Sequence, residues 1–516
     1  MKQKPFVSIE NLVLALHECR YSGGLAASGG QAGFGYARFT RDYLQAMDDL
    51  MTLLPSLVRE GFSHIPQEQG IKDDPATEEE LDRLPHQVAQ GKPSGLVMSP
   101  KLVEEWRYWL DKWGVGYDDQ YGFIVYNASD AARYLTVLAE YCRIHGDDVL
   151  DDQFVHRPSG EIRSIRNAAK RVAGWLVRTI ERSDLGLMEV QTMNPKQTSW
   201  SAVMRDGIDS YYHPEGDHGE PVNRYAPVAY IENQGIAVGA LHAAAELFGD
   251  APERAKWLEL AREIPKRTLE HFWLPEFNYF APAVDRDEDG AARPVKLLSS
   301  APMELLATPF FDELPNRREL VEKVVAKIFD RGFLTPVGVR MLHLDHAGLE
   351  GDYYPYQGTA AVWGVTQRVI AHGLRRQGLA PLAHDIGLQR LVSGLNRTGK
   401  AVEYWLVERE HGWVNYHPYR PALDGEEATV MYAAERPNQP QLWTITGAMA
   451  ELLSEEAHET APAGSWEAKL CVRYLLEAAE VPPALVDPVD HDFVIDVTRG
   501  KQMMRERADR LVPQKR

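Results

Sequence analysis

The chain has 516 residues, 44% apolar and 25% charged, and a formal net charge of −19. This is ordinary globular usage, and the charge argues against nucleic acid and against an anionic membrane surface as partners. Three cysteines, Cys19, Cys142 and Cys471, are too few and too scattered for a disulfide framework or a zinc site. The opening Met1-Lys-Gln-Lys-Pro5 leads into Glu10, His17 and Glu18 instead of an apolar run, so no secretory leader is expected. No stretch of 18 apolar residues suggests a membrane span. The expectation is a reduced, cytoplasmic protein, in which the sequons at Asn127 and Asn396 carry no sugar.

Helical periodicity dominates. Residues 9–19 place apolar side chains at 9, 12, 13 and 16, and 41–59 repeats the pattern. Residues 129–145 open on an Asn-Ala-Ser-Asp cap signal and stop at Gly146. The segments 162–180, 231–248, 253–271, 318–329, 359–377, 381–395, 442–453 and 466–479 follow. Short β-rich stretches are expected at 279–284 with 295–299, as a hairpin around Asp287-Glu-Asp-Gly290, and at 401–406.

Eleven helical candidates without βαβ alternation make an all-α domain. A plain bundle has short loops, whereas 62–100 and 182–228 are of a length that usually carries function. A double ring of helices with its loops gathered at one end satisfies both observations, although no literal repeat marks its units. The charged segment 61–95, with Asp73-Asp74 and Glu78-Glu-Glu80, is expected to be a mobile lid. Residues 1–480 form the expected catalytic unit and 481–516 a C-terminal extension with a basic end.

Arg205-Asp-Gly-Ile-Asp209, followed by Ser210-Tyr-Tyr-His213, is the segment richest in chemistry. It sets two carboxylates three residues apart in an aromatic loop, where a carboxyl is well placed to act as a general acid. Such chemistry needs a second carboxylate from elsewhere in the chain.

Six motifs, in order, resemble the six-hairpin (α/α)6 glycoside hydrolases, a toroid with long loops and minor β-hairpins. Phe39-Thr-Arg-Asp42, preceded by Gly33-Phe-Gly-Tyr36, is similar to their Trp-x-Arg-Asp element. Tyr126-Asn-Ala-Ser-Asp130 is similar to their Tyr-Asn-x-x-Asp helix start, and Arg205-Asp-Gly-Ile-Asp209 to their Lys-Asp-Ser-Gly-Asp loop. Ile231-Glu-Asn-Gln-Gly235 resembles Glu-x-Gln-Gly. Tyr353-Tyr-Pro-Tyr-Gln-Gly358 with Val362-Trp363 resembles Tyr-x-x-Gly-x-x-Trp, and Gln441-Leu-Trp443 the late Gln-x-Trp. Order and spacing are those of amylo-α-1,6-glucosidase-like and glucosylglycerate-hydrolase-like enzymes, of the glycogen-debranching C-terminal domain and glycoside hydrolase family 63 type. The sequence departs from them at Phe39, at Gly207 and Ile208, and in having no β-sandwich before the helices.

The resemblance implies inverting hydrolysis of a small α-glucoside or α-mannoside, such as a disaccharide or a glycosylated organic acid, with no cofactor. It implies Asp209 as the acid and Glu403, flanked by Val402, Tyr404 and Trp405, as the base; Glu408, Glu410, Glu426, Glu427 and Glu435 are rivals. Arg41, Asp42, Asp130, Asp206, Glu232, Gln234 and Gln441 would bind sugar hydroxyls, and Tyr36, Tyr356, Trp363 and Trp443 would meet sugar faces. Helix capping and core packing are the plain alternatives for Asp130 and the aromatic residues. Other readings are a sugar epimerase or lyase using His213 or His218, phosphorolysis, and a catalytically silent carbohydrate-binding protein. Metal ligation by His213, Asp217 and His218, by His343, Asp345 and His346, or by Asp285-Arg-Asp-Glu-Asp-Gly290 is set aside: Lys296 stands where a calcium loop needs Glu. The oligomeric state is not readable from these features.

Overall fold

A computed structural model describes residues 7–21, 24–28, 37–89, 123–126, 130–194, 203, 205, 210–215, 219–349, 357–399, 401–410, 412, 414–415, 440–454 and 461–483. In chain order its α-helices are α1 (Ile9–Glu18), α2 (Thr40–Leu50), α3 (Pro55–His64), α4 (Arg133–His145), α5 (Ile165–Arg182), α6 (Ile231–Leu247) and α7 (Arg254–Phe272). They continue with α8 (Arg317–Ile328), α9 (Gly364–Arg376), α10 (Ala380–His384), α11 (Val392–Thr398), α12 (Leu442–Leu453) and α13 (Trp466–Ala478).

Six elements close an inner ring. Helices α2, α4 and α6, the 3₁₀ segment Ala301–Ala307, α9 and α12 each pack on the next, and α12 packs back on α2. The others form the outer layer: α3 on α2, α5 on α4 and α6, α7 on α6, α8 on Ala301–Ala307, α10 on α9, and α1 on α12. The division follows from composition. Ring helix α6 is apolar on every face and buried along nearly its whole length, whereas outer α5 buries Ala168, Ala169, Val172, Trp175 and Leu176 and turns Lys170 and Arg178 outward. Among the described residues no helix is long and apolar enough to cross a membrane.

Four ring helices start in the same way. Phe39, Tyr230, Trp363 and Gln441 are extended residues that precede α2, α6, α9 and α12 without a side-chain cap. Three of them end short strands, Ala37–Phe39, Val228–Tyr230 and Ala361–Trp363. The small sheets therefore gather at the N-terminal ends of the ring helices.

The structure departs from the sequence expectations at several points. The span 41–59 is two helices, because Pro55 opens α3 at its first position, where its missing N–H costs nothing. Residues 162–164 are a strand paired with Gln153–Val155 ahead of α5, and 361–363 are a strand ahead of α9. The hairpin near Gly290 is formed, but it pairs Ala283–Arg286 with Ala292–Pro294.

The expected lid is the main correction. Leu84, Arg83 and His86 are buried, and Gln87–Ala89 is the middle strand between Ala37–Phe39 and Phe123–Val125. The acidic run meets a column of arginines on α5: Arg171 and Arg178 hold Asp82 at 2.9 and 3.0 Å, and Arg182 holds Glu80 at 2.6 Å. A charge run that reads as solvated is here a strip docked on the outer layer. Residues 90–95 lie outside the described residues.

Candidate active site

Residues 401–404 are strung between the starts of α9 and α12. Strand Tyr404–Val407 pairs with Ala361–Trp363, setting Tyr404 against Trp363. Gln441 N–H donates to the Ala401 carbonyl (2.9 Å), Thr444 Oγ1 to the Val402 carbonyl (2.8 Å) and Gly364 N–H to the Glu403 carbonyl (3.5 Å). Gly364 is required at this crossing, because a Cβ there would lie 2.5 Å from Thr444 Oγ1. Glu403 is thereby held 1% exposed between two helix N-termini, whose dipoles favour a carboxylate. Of its rivals, Glu408 is half-buried and accepts the Glu410 N–H in a local turn, and Glu410 is exposed. Glu426, Glu427 and Glu435 lie outside the described residues.

Aromatic rings wall this point. Trp363 stacks on Tyr404 with centroids 5.5 Å apart, and Trp443 meets Trp363 at 5.5 Å in a tilted pair. The Arg41 guanidinium lies over Trp443 at 5.1 Å. Asp42, 2% exposed, accepts from Arg41 Nε (3.3 Å) and from Gln441 Nε2 (3.2 Å). Two polar atoms of this group, Gln441 Oε1 and Trp443 Nε1, are buried with no hydrogen-bond partner among the described residues. A buried polar atom without a partner is costly and calls for a ligand or water.

A second cluster faces the start of α6. Arg205 binds Glu304 (2.7 Å) and Ser300 Oγ (3.3 Å), and its Nη1 is 3.6 Å from Glu232 Oε1, which also accepts the Tyr211 hydroxyl. Burial pushes the Glu232 carboxyl above its ordinary range; Arg205 opposes this and Glu304 reinforces it. Ser210 donates to Gln357 Oε1, just before the strand that pairs with the Glu403 segment. Of the residues that flank 206–209 in sequence, Arg205 is thus anchored on ring elements and Ser210 on the segment ahead of strand Ala361–Trp363.

The structure brings together Arg41, Asp42, Glu403, Trp363, Gln441 and Trp443, and sets Glu232 in the neighbouring cluster. Gln234 is not a sugar ligand: its amide accepts the Met188 N–H (3.0 Å) and donates to the Met188 and Tyr230 carbonyls (2.9 Å each). Its hydrogen-bonding capacity goes into clamping Met188 against the end of the strand that leads into α6. Tyr36, Asp206, Asp209 and Tyr356 lie outside the described residues, and Asp130 opens the 3₁₀ turn Asp130–Ala132 with its side chain outside them. Sequence reasoning missed Tyr404 and Glu304; a lone acid in the apolar run Ala301-Pro-Met-Glu-Leu-Leu306 was the signal for the latter.

The histidines weighed as ligands have other work. His213 is bound to Asp285 (3.0 Å), His343 to Asp330 (3.0 Å), and His346 Nε2 accepts the Leu298 N–H (2.9 Å). Among the described residues no group of three or more His, Cys, Asp or Glu side chains could hold a metal ion.

No protein-family model and no curated protein sequence matches this chain. Solved structures do. GH63 mannosylglycerate hydrolase from Thermus thermophilus in complex with glucose superposes with a TM-score of 0.52 at 13% identity, over 88% of this chain and 100% of that one. Its complex with Tris and D-glycerate gives 0.51 at 12%, over 86% and 99%. An uncharacterized conserved protein of the same organism gives 0.51 at 12%, over 87% and 100%. With its closed inner ring and outer layer of helices, the chain has the fold of these proteins, the six-hairpin (α/α)6 toroid.

Proposed function

We propose that this chain is an inverting glycoside hydrolase acting on a small α-glucoside or α-mannoside. The observation that carries the reading is the burial of Glu403 between the starts of α9 and α12, where Trp363, Tyr404 and Trp443 gather with Asp42 and with Gln441 and Trp443 atoms that have no partner among the described residues. Aromatic faces, a carboxylate held by Arg and Gln, and free polar atoms suit the alternating apolar and hydroxyl surfaces of a sugar. In this reading Glu403 takes a proton from water as it attacks the anomeric carbon, and Asp209 protonates the leaving oxygen. Inversion requires about 6.5–9.5 Å between the two carboxyls, so that the water fits. Asp42 would accept hydroxyl protons of the glycone, and Trp443 Nε1 would donate to one of its oxygens. Tyr36, Asp130, Asp206 and Tyr356 would complete the sugar contacts.

The likeness to a mannosylglycerate hydrolase supports a glycosylated organic acid as the first substrate to try. The reading takes residues 1–480 as the catalytic unit, 481–516 as an extension, and the protein as cytoplasmic and free of nucleic-acid and membrane partners. A lyase or epimerase working through His213 is disfavoured, because that side chain is buried and committed to Asp285.

The test is a panel of α-glucosides and α-mannosides, including mannosylglycerate and glucosylglycerate, assayed with wild type, Asp209→Asn and Glu403→Gln. Cleavage of at least one compound with inverted anomeric product, lost in both variants, is expected. No cleavage, or full activity in either variant, sinks the reading.

A further inference from the structure

The ring is not filled along its axis. A cavity of about 590 Å³ runs between the ring helices, from Arg41 and Glu232 near their N-terminal ends to Arg143, Glu246 and Leu453 at their C-terminal ends. Sites for small molecules span about 300–1,000 Å³. Arg41 and Glu232 close its inner end, while Trp363, Trp443, Asp42 and Glu403 are not among the residues lining it, so it adjoins the site proposed above and runs away from it. At its far end Leu453 is exposed and the Arg143–Glu246 pair is open to solvent, which makes that end its mouth.

One polar group faces this space without a hydrogen-bond partner among the described residues. His372, on the ring helix α9, is exposed to the cavity and makes no hydrogen bond to a described residue. Although open to the cavity, this imidazole is withdrawn from bulk solvent by the surrounding ring, and that, reinforced by the charge of Arg368, brings it down to about 4, so it is neutral at physiological pH.

The charges along the wall are answered. Arg368 pairs with Asp49 (2.7 Å) and Glu451 (3.2 Å), Arg133 with Asp48 (3.4 Å), and Arg143 with Glu246 (2.9 Å). An ion entering here finds no unpaired counter-charge to offset its own desolvation. A hydroxyl group both donates and accepts, so it can serve the carboxylates, the guanidinium groups and a neutral imidazole. We propose that the axial cavity is a second ligand site, for a small neutral polyhydroxy compound, entered from the C-terminal ends of the ring helices.

Glucose is the probe, titrated calorimetrically into wild type, Ala243→Phe and His372→Ala. Ala243 lies on the cavity wall, and phenylalanine there occupies the space. At least one equivalent of glucose per chain is expected to vanish in Ala243→Phe and to bind tenfold or more weakly in His372→Ala. Glucose binding of equal stoichiometry and affinity in all three proteins, or none in wild type, overturns the proposal. Thermal melts show whether Ala243→Phe folds; if it does not, His372→Ala, which breaks no hydrogen bond to a described residue, decides alone. Neither variant touches the groups assigned to hydrolysis, so glycoside cleavage persists in both. A protein that cleaves no glycoside but loses a glucose equivalent in Ala243→Phe refutes the hydrolytic reading and leaves the cavity site standing.

Discussion

The two ends of the ring axis are built from the same helices and treat polar groups in opposite ways. At the C-terminal ends the buried carboxylates are answered several times over: Glu451 in the last turn of α12 receives Arg368 and Arg375, and Asp49 at the end of α2 takes Arg368, Thr446 (3.0 Å) and Gln45 (3.1 Å). Arg143, Arg375 and Arg376 lie in last turns, where cations also suit the helix dipole. At the N-terminal ends the strands feed in without caps, and Gln441, Trp443 and Glu232 each keep a buried atom without a partner among the described residues. A closed polar network holds a fold; an open one binds something. Substitutions at the two ends should therefore fail in different assays.

Glu403→Gln is expected to give the largest effect. It removes the proposed general base while keeping shape, so kcat on a cleaved substrate should drop by roughly 10²–10⁴ with an unchanged melting temperature. A normal rate in a folded variant would move the base elsewhere. At the other end, Glu451→Ala strips Arg368 and Arg375 of their shared partner. Breaking a buried pair costs about 3–5 kcal/mol, with the low end favoured here because Asp49 still holds Arg368. Urea unfolding should show that loss, while kcat per folded molecule stays near wild type.

This contrast explains what the sequence disclosed. Ring and outer helices show in the 3.6-residue spacing, and Glu403 stands out because Val402, Tyr404 and Trp405 surround it. The fourth ring element, Ala301–Ala307, left no such trace: seven residues with Pro302 in the first turn make a 3₁₀ segment too short for periodicity. Gln234 was misjudged for a related reason. A motif marks a residue without saying whether its hydrogen bonds are already used. Gln367 occupies the corresponding fourth position of α9 and clamps Val339 and Trp363 as Gln234 clamps Met188 and Tyr230. The pair is a structural repeat between two helix starts that share little sequence.

Glu78 offers a third case, a half-answered carboxylate in the loop docked on α5, whose Oε1 accepts the Asn194 N–H (3.4 Å). Its Oε2 has no partner among the described residues, and burial, opposed by Arg83, brings its carboxyl up to about 7. The folded state thus holds a proton that the unfolded state releases near 4.5. Any stability tied to that proton is fully present below pH 4.5 and lost as pH rises through 7, for a swing of about 3 kcal/mol at most. Glu78→Gln should flatten unfolding free energy against pH between 5 and 7. An unchanged slope would show that the carboxyl is ionised in the fold.

The smallest effect separates the two ends most sharply. Trp443→Phe keeps an aromatic face against Trp363 and beneath Arg41, and deletes one buried donor that has no partner among the described residues. Removing an unsatisfied donor costs the fold nothing in hydrogen bonds and relieves a desolvation penalty, so the melting temperature should hold or rise. If that donor serves a sugar oxygen, KM should rise by about twofold to twelvefold, the equivalent of a hydrogen bond of about 0.5–1.5 kcal/mol, with kcat little changed. Loss of stability with unaltered KM would mean that Trp443 belongs, like Glu451, to the closed part of the ring.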